Sequence, residues 1–111
     1  MPIVDLMSPN PVSRRTVIVK LENGLHLRPQ SLIAQTAIRF RSDVRINNGK
    51  MTVDAKTMLE LMQLTAENGT SLILEASGDD AEEALEELVG LFESNFDISE
   101  SSPTVRDTDQ D

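Results

Sequence analysis

The chain has 111 residues, 19 acidic against 10 basic, with one histidine and no cysteine, tyrosine or tryptophan. That length suits one domain with a single aliphatic core, and the lack of cysteine excludes a disulfide framework and thiolate metal sites and fits a reducing compartment. A net charge of −9 with only 3 aromatic residues argues against a nucleic-acid partner, and no stretch approaches the roughly 18 apolar residues of a membrane span.

Residues 1–13 contain three prolines and little periodicity, and are expected to form an extended arm. They carry Asp5 and no basic cluster ahead of a long apolar run, so a signal peptide is not expected and the cytoplasm is the default location. TVIVKL (16–21) alternates, with Val17, Val19 and Leu21 sharing one face, as in a half-buried strand. PQSLIAQTAIRF (29–40) places Leu32, Ile33, Thr36, Ala37 and Phe40 along one helical stripe. DVRIN (43–47) and MTVDA (51–55) read as strands, joined across an Asn48-Gly49 pair suited to a tight hairpin turn.

TMLELMQLTA (57–66) is expected to be a short helix whose Thr57 and Glu60 have the spacing of a capping box. In it Leu61 and Leu64 face inward, leaving Leu59 and Met62 on the other side. TSLILEA (70–76) supplies a fourth strand. DAEEALEELVGLFESNF (80–96) is a strongly amphipathic helix with Ala81, Ala84, Leu85, Leu88, Val89, Phe92 and Phe96 inward, capped by Asp79 or Asp80. Residues 97–111 have the acidic, Ser/Thr-rich composition of a disordered tail. The order βαββαβα implies an α+β fold, an open-faced β-sandwich in which a four-stranded antiparallel sheet is covered on one face by three helices.

The acidity is uneven. Residues 79–111 hold 12 acidic groups against Arg106, a net −11, whereas residues 1–78 hold 9 basic and 7 acidic groups, a net +2. The mildly basic part contains GLHLRP (24–29), with the lone histidine between a turn at Glu22-Asn23-Gly24 and a helix starting near Pro29. Proline is tolerated in a first helical turn, where its missing N–H would have had no intrahelical partner. His26 is thus placed where backbone donors and the positive dipole end converge, an arrangement suited to anions, and Arg28 adds a charged fork that matches phosphate oxygens.

A neutral imidazole is a competent nucleophile near pH 7, so this cluster suits reversible phosphorylation of His26. Hydrolysis is less well served, because there is no second histidine, no phosphate-binding loop of P-loop spacing and no metal cluster. From spacing alone, a histidine that merely caps the helix is an equal reading.

GLHLRP followed by a helix resembles the active-site motif of the HPr family, the histidine-containing phosphocarriers of the bacterial sugar phosphotransferase system. The likeness runs from about Arg15 to Phe96 and includes NNGK-x-x-x-x-AKT (47–57), NG-T (68–70) and GDDAEEALEELVGLF (78–92). The resemblance implies the same βαββαβα fold in residues 14–96. It also implies that His26 takes a phosphoryl group on Nδ1 from phosphoenolpyruvate-charged enzyme I and passes it to an enzyme IIA. On it Arg28 neutralises the phosphate, Pro29 shapes the helix start and Gly24 the preceding turn. It further implies a monomeric carrier without cofactor or metal, docking its partners through Leu27, Met58, Leu59 and Met62.

Four departures from that pattern stand out. Leu27 replaces a usual Ala or Thr, and Gln30 a usual Ala. Gln35 and Ile38 stand where relatives often carry lysines, which weakens electrostatic steering. Thr57 stands where many relatives have a serine phosphorylated by an HPr kinase; the role of helix N-cap is sufficient to explain it. Three functions follow: a phosphoryl carrier, a regulatory paralogue of the same fold acting by docking, and a small phosphate-processing enzyme using His26. The absence of a second acid or base disfavours the last.

Overall fold

A computed structural model describes residues 12–96 of the chain. Seven elements follow one another: β1 (Val12–Ile18), α1 (Leu27–Ala37), β2 (Asp43–Asn47), β3 (Thr52–Asp54), α2 (Met58–Gln63), β4 (Ser71–Ser77) and α3 (Ala81–Glu93). The order is the expected βαββαβα. The strands form one sheet in the order β1-β4-β2-β3, and every neighbouring pair is antiparallel.

Period-two alternation decides the two faces of this sheet. Val17, Val44, Ile46, Val53, Leu72, Leu74 and Ala76 are buried beneath the helices, whereas Ile18, Arg45 and Ile73 are exposed on the bare face. From the helices, Ile33, Ala37, Leu61, Leu85, Leu88 and Phe92 complete a predominantly aliphatic core. The fold is the open-faced α+β sandwich expected from the sequence.

Several boundaries differ from expectation. Val12 and Ser13, assigned to the arm, begin β1 and pair with Ser77 and Ala76; the rest of the arm and the tail 97–111 lie outside the described residues. The inward positions at this end of β1 are Ser13 and Arg15 rather than apolar groups. Both reach Glu82 of α3: the Ser13 hydroxyl donates to it at 2.7 Å and the Arg15 guanidinium pairs with it. A polar contact therefore replaces the alternation that would mark a strand.

α1 starts two residues before Pro29, and α2 is only six residues long, with Leu64 already extended. α3 stops at Glu93, where Asn95 and Phe96 take φ of 55° and 62°. The Phe96 amide donates to the Leu91 carbonyl at 2.7 Å, and its ring meets Phe92 edge-on at 4.8 Å. Phe96 is thus buried as expected, but through a left-handed helix terminus and not by continuing the helix.

The expected caps take another form. Thr57 and Asp80 occupy N-cap positions, yet neither side chain caps its helix. The Thr57 hydroxyl donates to the Asp54 carbonyl at 3.3 Å, and the Glu60 carboxylate accepts from the Asp54 amide at 2.8 Å, so no capping box forms. Asp80 instead accepts from the backbone amides of Arg41 and Ser42, each at 2.9 Å, and from the Ser42 hydroxyl at 2.5 Å. Beside this contact Gly78 has φ +147°, and a Cβ there would lie 2.8 Å from the Ser42 Cα. Only glycine lets the two loops approach so closely.

Candidate functional site

After β1 the chain turns: the Gly24 amide donates to the Leu21 carbonyl at 2.9 Å and Gly24 adopts φ +71°. A Cβ on Gly24 would come within 2.7 Å of the Ala66 carbonyl oxygen, so the position is closed to other residues both by conformation and by space. Leu25 then donates its amide to that same carbonyl at 2.8 Å and buries its side chain. The chain is thereby fastened to the segment following α2 immediately before it reaches the histidine.

His26 is the N-cap of α1, in extended backbone, exposed, and without a capping hydrogen bond from its imidazole. The first turn of the helix is closed by the Gln30 amide donating to the His26 carbonyl at 3.0 Å. The amides of Leu27 and Arg28 precede that bond and belong to the helix's N-terminal end, and Pro29 has no N–H to satisfy. No acidic residue occurs in this first turn. Arg28 is exposed in the same turn, and Pro29 is buried. The corner therefore combines an exposed imidazole at a helix N-terminus with an exposed arginine in the first turn, and that turn holds no carboxylate.

Gly24, Leu27, Arg28 and Pro29, all singled out in the sequence, lie within three residues of His26 along the chain. Leu27 follows the histidine directly and is 62% exposed. On α2, which packs against α1, Leu59 and Met62 are 70% and 57% exposed, as expected of an outer apolar face. Met58 differs, since its side chain is partly buried against the core. Thr57 lies at the opposite end of α2 from the segment that fastens Leu25, and it is exposed.

Sequence reasoning noticed Gln30 only as a departure. In the structure it is 6% exposed, and its side-chain nitrogen donates to the carbonyls of Leu25 at 3.1 Å and Leu61 at 3.2 Å. The signal was available: Gln30 stands three, four and seven residues before the buried Ile33, Ala34 and Ala37, hence on the inward face.

A family model described as the PTS HPr component phosphorylation site matches residues 13–94. The HPr-like protein Crh of Bacillus subtilis is 43% identical over 75 residues, covering 68% of this chain and 88% of that protein. A crystal structure of Crh, described as a dimer with a swapped domain, aligns at TM-score 0.60 and 41% identity over 70% of this chain and 90% of that one. The phosphocarrier protein HPr of Borreliella burgdorferi is 35% identical over 81 residues, 73% of this chain and 94% of that protein. The crystal structure of an HPr from Thermoanaerobacter tengcongensis aligns at TM-score 0.73 and 39% identity, covering 76% of this chain and 94% of that one. The chain belongs to the HPr family of phosphocarrier proteins of the phosphotransferase system.

Proposed function

We propose that this chain carries phosphoryl groups on His26, accepting them from phosphoenolpyruvate-charged enzyme I and passing them to an enzyme IIA. The supporting observation is the placement of an exposed imidazole as the N-cap of α1, beside Arg28 and without a carboxylate in the first turn. In the accepting step the lone pair of neutral Nδ1 attacks phosphorus. A P–N bond forms while the bond to the donor group on enzyme I breaks, its electron pair leaving with that group. The added negative charge then lies against the start of α1 and the Arg28 guanidinium, which hold it without a cofactor or metal. Donation to enzyme IIA reverses the sequence. The chain is a protein substrate of other enzymes in the cytoplasm and has no turnover of its own.

Leu27, Leu59 and Met62 form the docking surface in this reading, with Met58 buttressing α2 from below. The protein works as a monomer. Sedimentation at working concentration tests this, and a stable dimer, as described for Crh, would overturn it. Thr57 is an exposed hydroxyl with one long hydrogen bond, accessible to an HPr kinase. Treatment with such a kinase and ATP should place phosphate there and nowhere else.

A second reading, a regulatory paralogue acting by docking, draws support from the similarity to Crh and from Gln35 and Ile38 on the outer side of α1. Incubation with enzyme I, Mg²⁺ and phosphoenolpyruvate, followed by addition of enzyme IIA, separates the two. The carrier acquires acid-labile, base-stable phosphate and loses it to enzyme IIA. Phosphate that no enzyme IIA removes would favour the regulatory paralogue, and a chain that takes no label would defeat the carrier.

A further inference from the structure

We infer that Gln30 is a positioning residue for phosphoryl transfer, holding the loop that carries His26 and the short helix α2 in one fixed register. The inference rests on the carrier reading above. Gln30 and Ser42 are the two buried polar side chains among the described residues. An amide taken out of water without partners is strongly disfavoured, so a buried glutamine must be matched by acceptors. The two acceptors lie far apart in sequence and both border the site. Leu25 immediately precedes His26, and Leu61 lies in α2, between the exposed Leu59 and Met62.

Other contacts complete the clamp. Leu25 is held through both backbone groups, its amide by the Ala66 carbonyl and its carbonyl by Gln30. The Gln30 amide meanwhile closes the first turn of α1 on the His26 carbonyl at 3.0 Å. One residue therefore grips the backbone on both sides of the imidazole. At α2 its role has a physical cause: a six-residue helix has little stability of its own and depends on tertiary contacts. A partner that docks on Leu59 and Met62 finds His26 at a set distance only if α2 and the histidine loop do not shift independently. Alanine at this position would leave the Leu25 and Leu61 carbonyls without this donor.

The test substitutes Gln30→Met in the full chain, which keeps length and volume but removes both donated hydrogen bonds, with Gln30→Ala as a second variant. Each is studied well below its melting midpoint. Amide hydrogen exchange at Leu25 should rise about tenfold, with Ile46 and Leu74 in the sheet unchanged. With enzyme I, kcat for phosphorylation should fall about tenfold, because a small displacement of the nucleophile is costly. KM for the chain should stay within about twofold, since the exposed docking side chains are retained. Unchanged exchange at Leu25, or a kcat equal to that of the parent chain, would overturn the inference. A proportionate loss of exchange protection throughout the sheet would also overturn it, by reducing Gln30 to a general stabiliser. Failure of the parent chain itself to take label would instead refute the carrier reading, and this role with it.

Discussion

The N-termini of α1 and α3 have the same backbone chemistry, with amides left ahead of the helical ladder and a positive dipole end, but are furnished in opposite ways. At α3 the chain supplies the negative charge itself. Asp80 accepts three hydrogen bonds from Arg41 and Ser42, and Glu82 and Glu83 occupy the first turn. At α1 there is no acid in the first turn, His26 makes no capping bond, and Arg28 adds positive charge. The first end ties two loops together and contributes to folding. The second gives up that local stabilisation and thereby suits an anion brought from outside.

The contrast can be broken or sharpened by substitution. Removing the guanidinium should have the largest effect: Arg28→Ala should slow phosphorylation by enzyme I about ten- to a hundredfold, the range expected for a charge-assisted hydrogen bond to phosphate. Its sheet should remain folded, as followed by circular dichroism. A rate within about twofold of the parent would remove Arg28 from the site.

Next, Leu27→Glu would give α1 the acid that α3 already has. The helix should gain about 0.3–1 kcal/mol from its dipole, read as a higher melting temperature, while phosphorylation slows about tenfold relative to Leu27→Gln. Equal rates for the two variants would show that the missing carboxylate is irrelevant to phosphoryl acceptance.

At the other end, the Ser42 hydroxyl first, and then the Arg41 amide, hold the Asp80 carboxyl down at about 2, from an ordinary 3.8. Because the folded value lies below the unfolded one, this stabilisation is complete above about pH 3.8 and is lost as pH falls toward about 2. Glu82, held down by the Ser13 hydroxyl and then by Arg15, acts in the same direction. Asp80→Asn should therefore lower the melting temperature near neutrality and flatten, without abolishing, its fall in acid. Phosphorylation of His26 at neutral pH should not change. A parallel acid limb in the variant would count against the Asp80 clamp.

The smallest effect is expected at Thr57. Its hydroxyl does not cap α2, so Thr57→Ala should change stability by no more than about 0.5 kcal/mol in chemical denaturation. A loss of about 1 kcal/mol or more would mean that the hydroxyl caps the helix in solution.

Much of this was legible in the chain because burial imposes periodicity. Leu72, Leu74 and Ala76 alternate in β4, and Ala84, Leu85, Leu88 and Phe92 recur at helical spacing in α3, so element types and faces followed directly. His26 could be placed at a helix start because a turn glycine and a proline bracket it. What escaped notice were contacts between segments distant in sequence that replace an apolar or local partner. Ser13 and Arg15 meet Glu82 where a strand would ordinarily show apolar residues, and Asp80 bonds the turn at Arg41 instead of its own helix. Gln30 was missed for the same reason, since its two acceptors are set by how α2 packs against the histidine loop. Local rules predict that a capping residue is present, but tertiary packing chooses what it bonds.

The most direct measurement compares amide chemical shifts of the isotopically labelled chain before and after phosphorylation by enzyme I. The account predicts a P–N bond on the His26 ring and the largest backbone shifts at Leu27 and Arg28, with the amides around Asp80 unmoved. Phosphate on another residue, or shifts centred away from the start of α1, would contradict it.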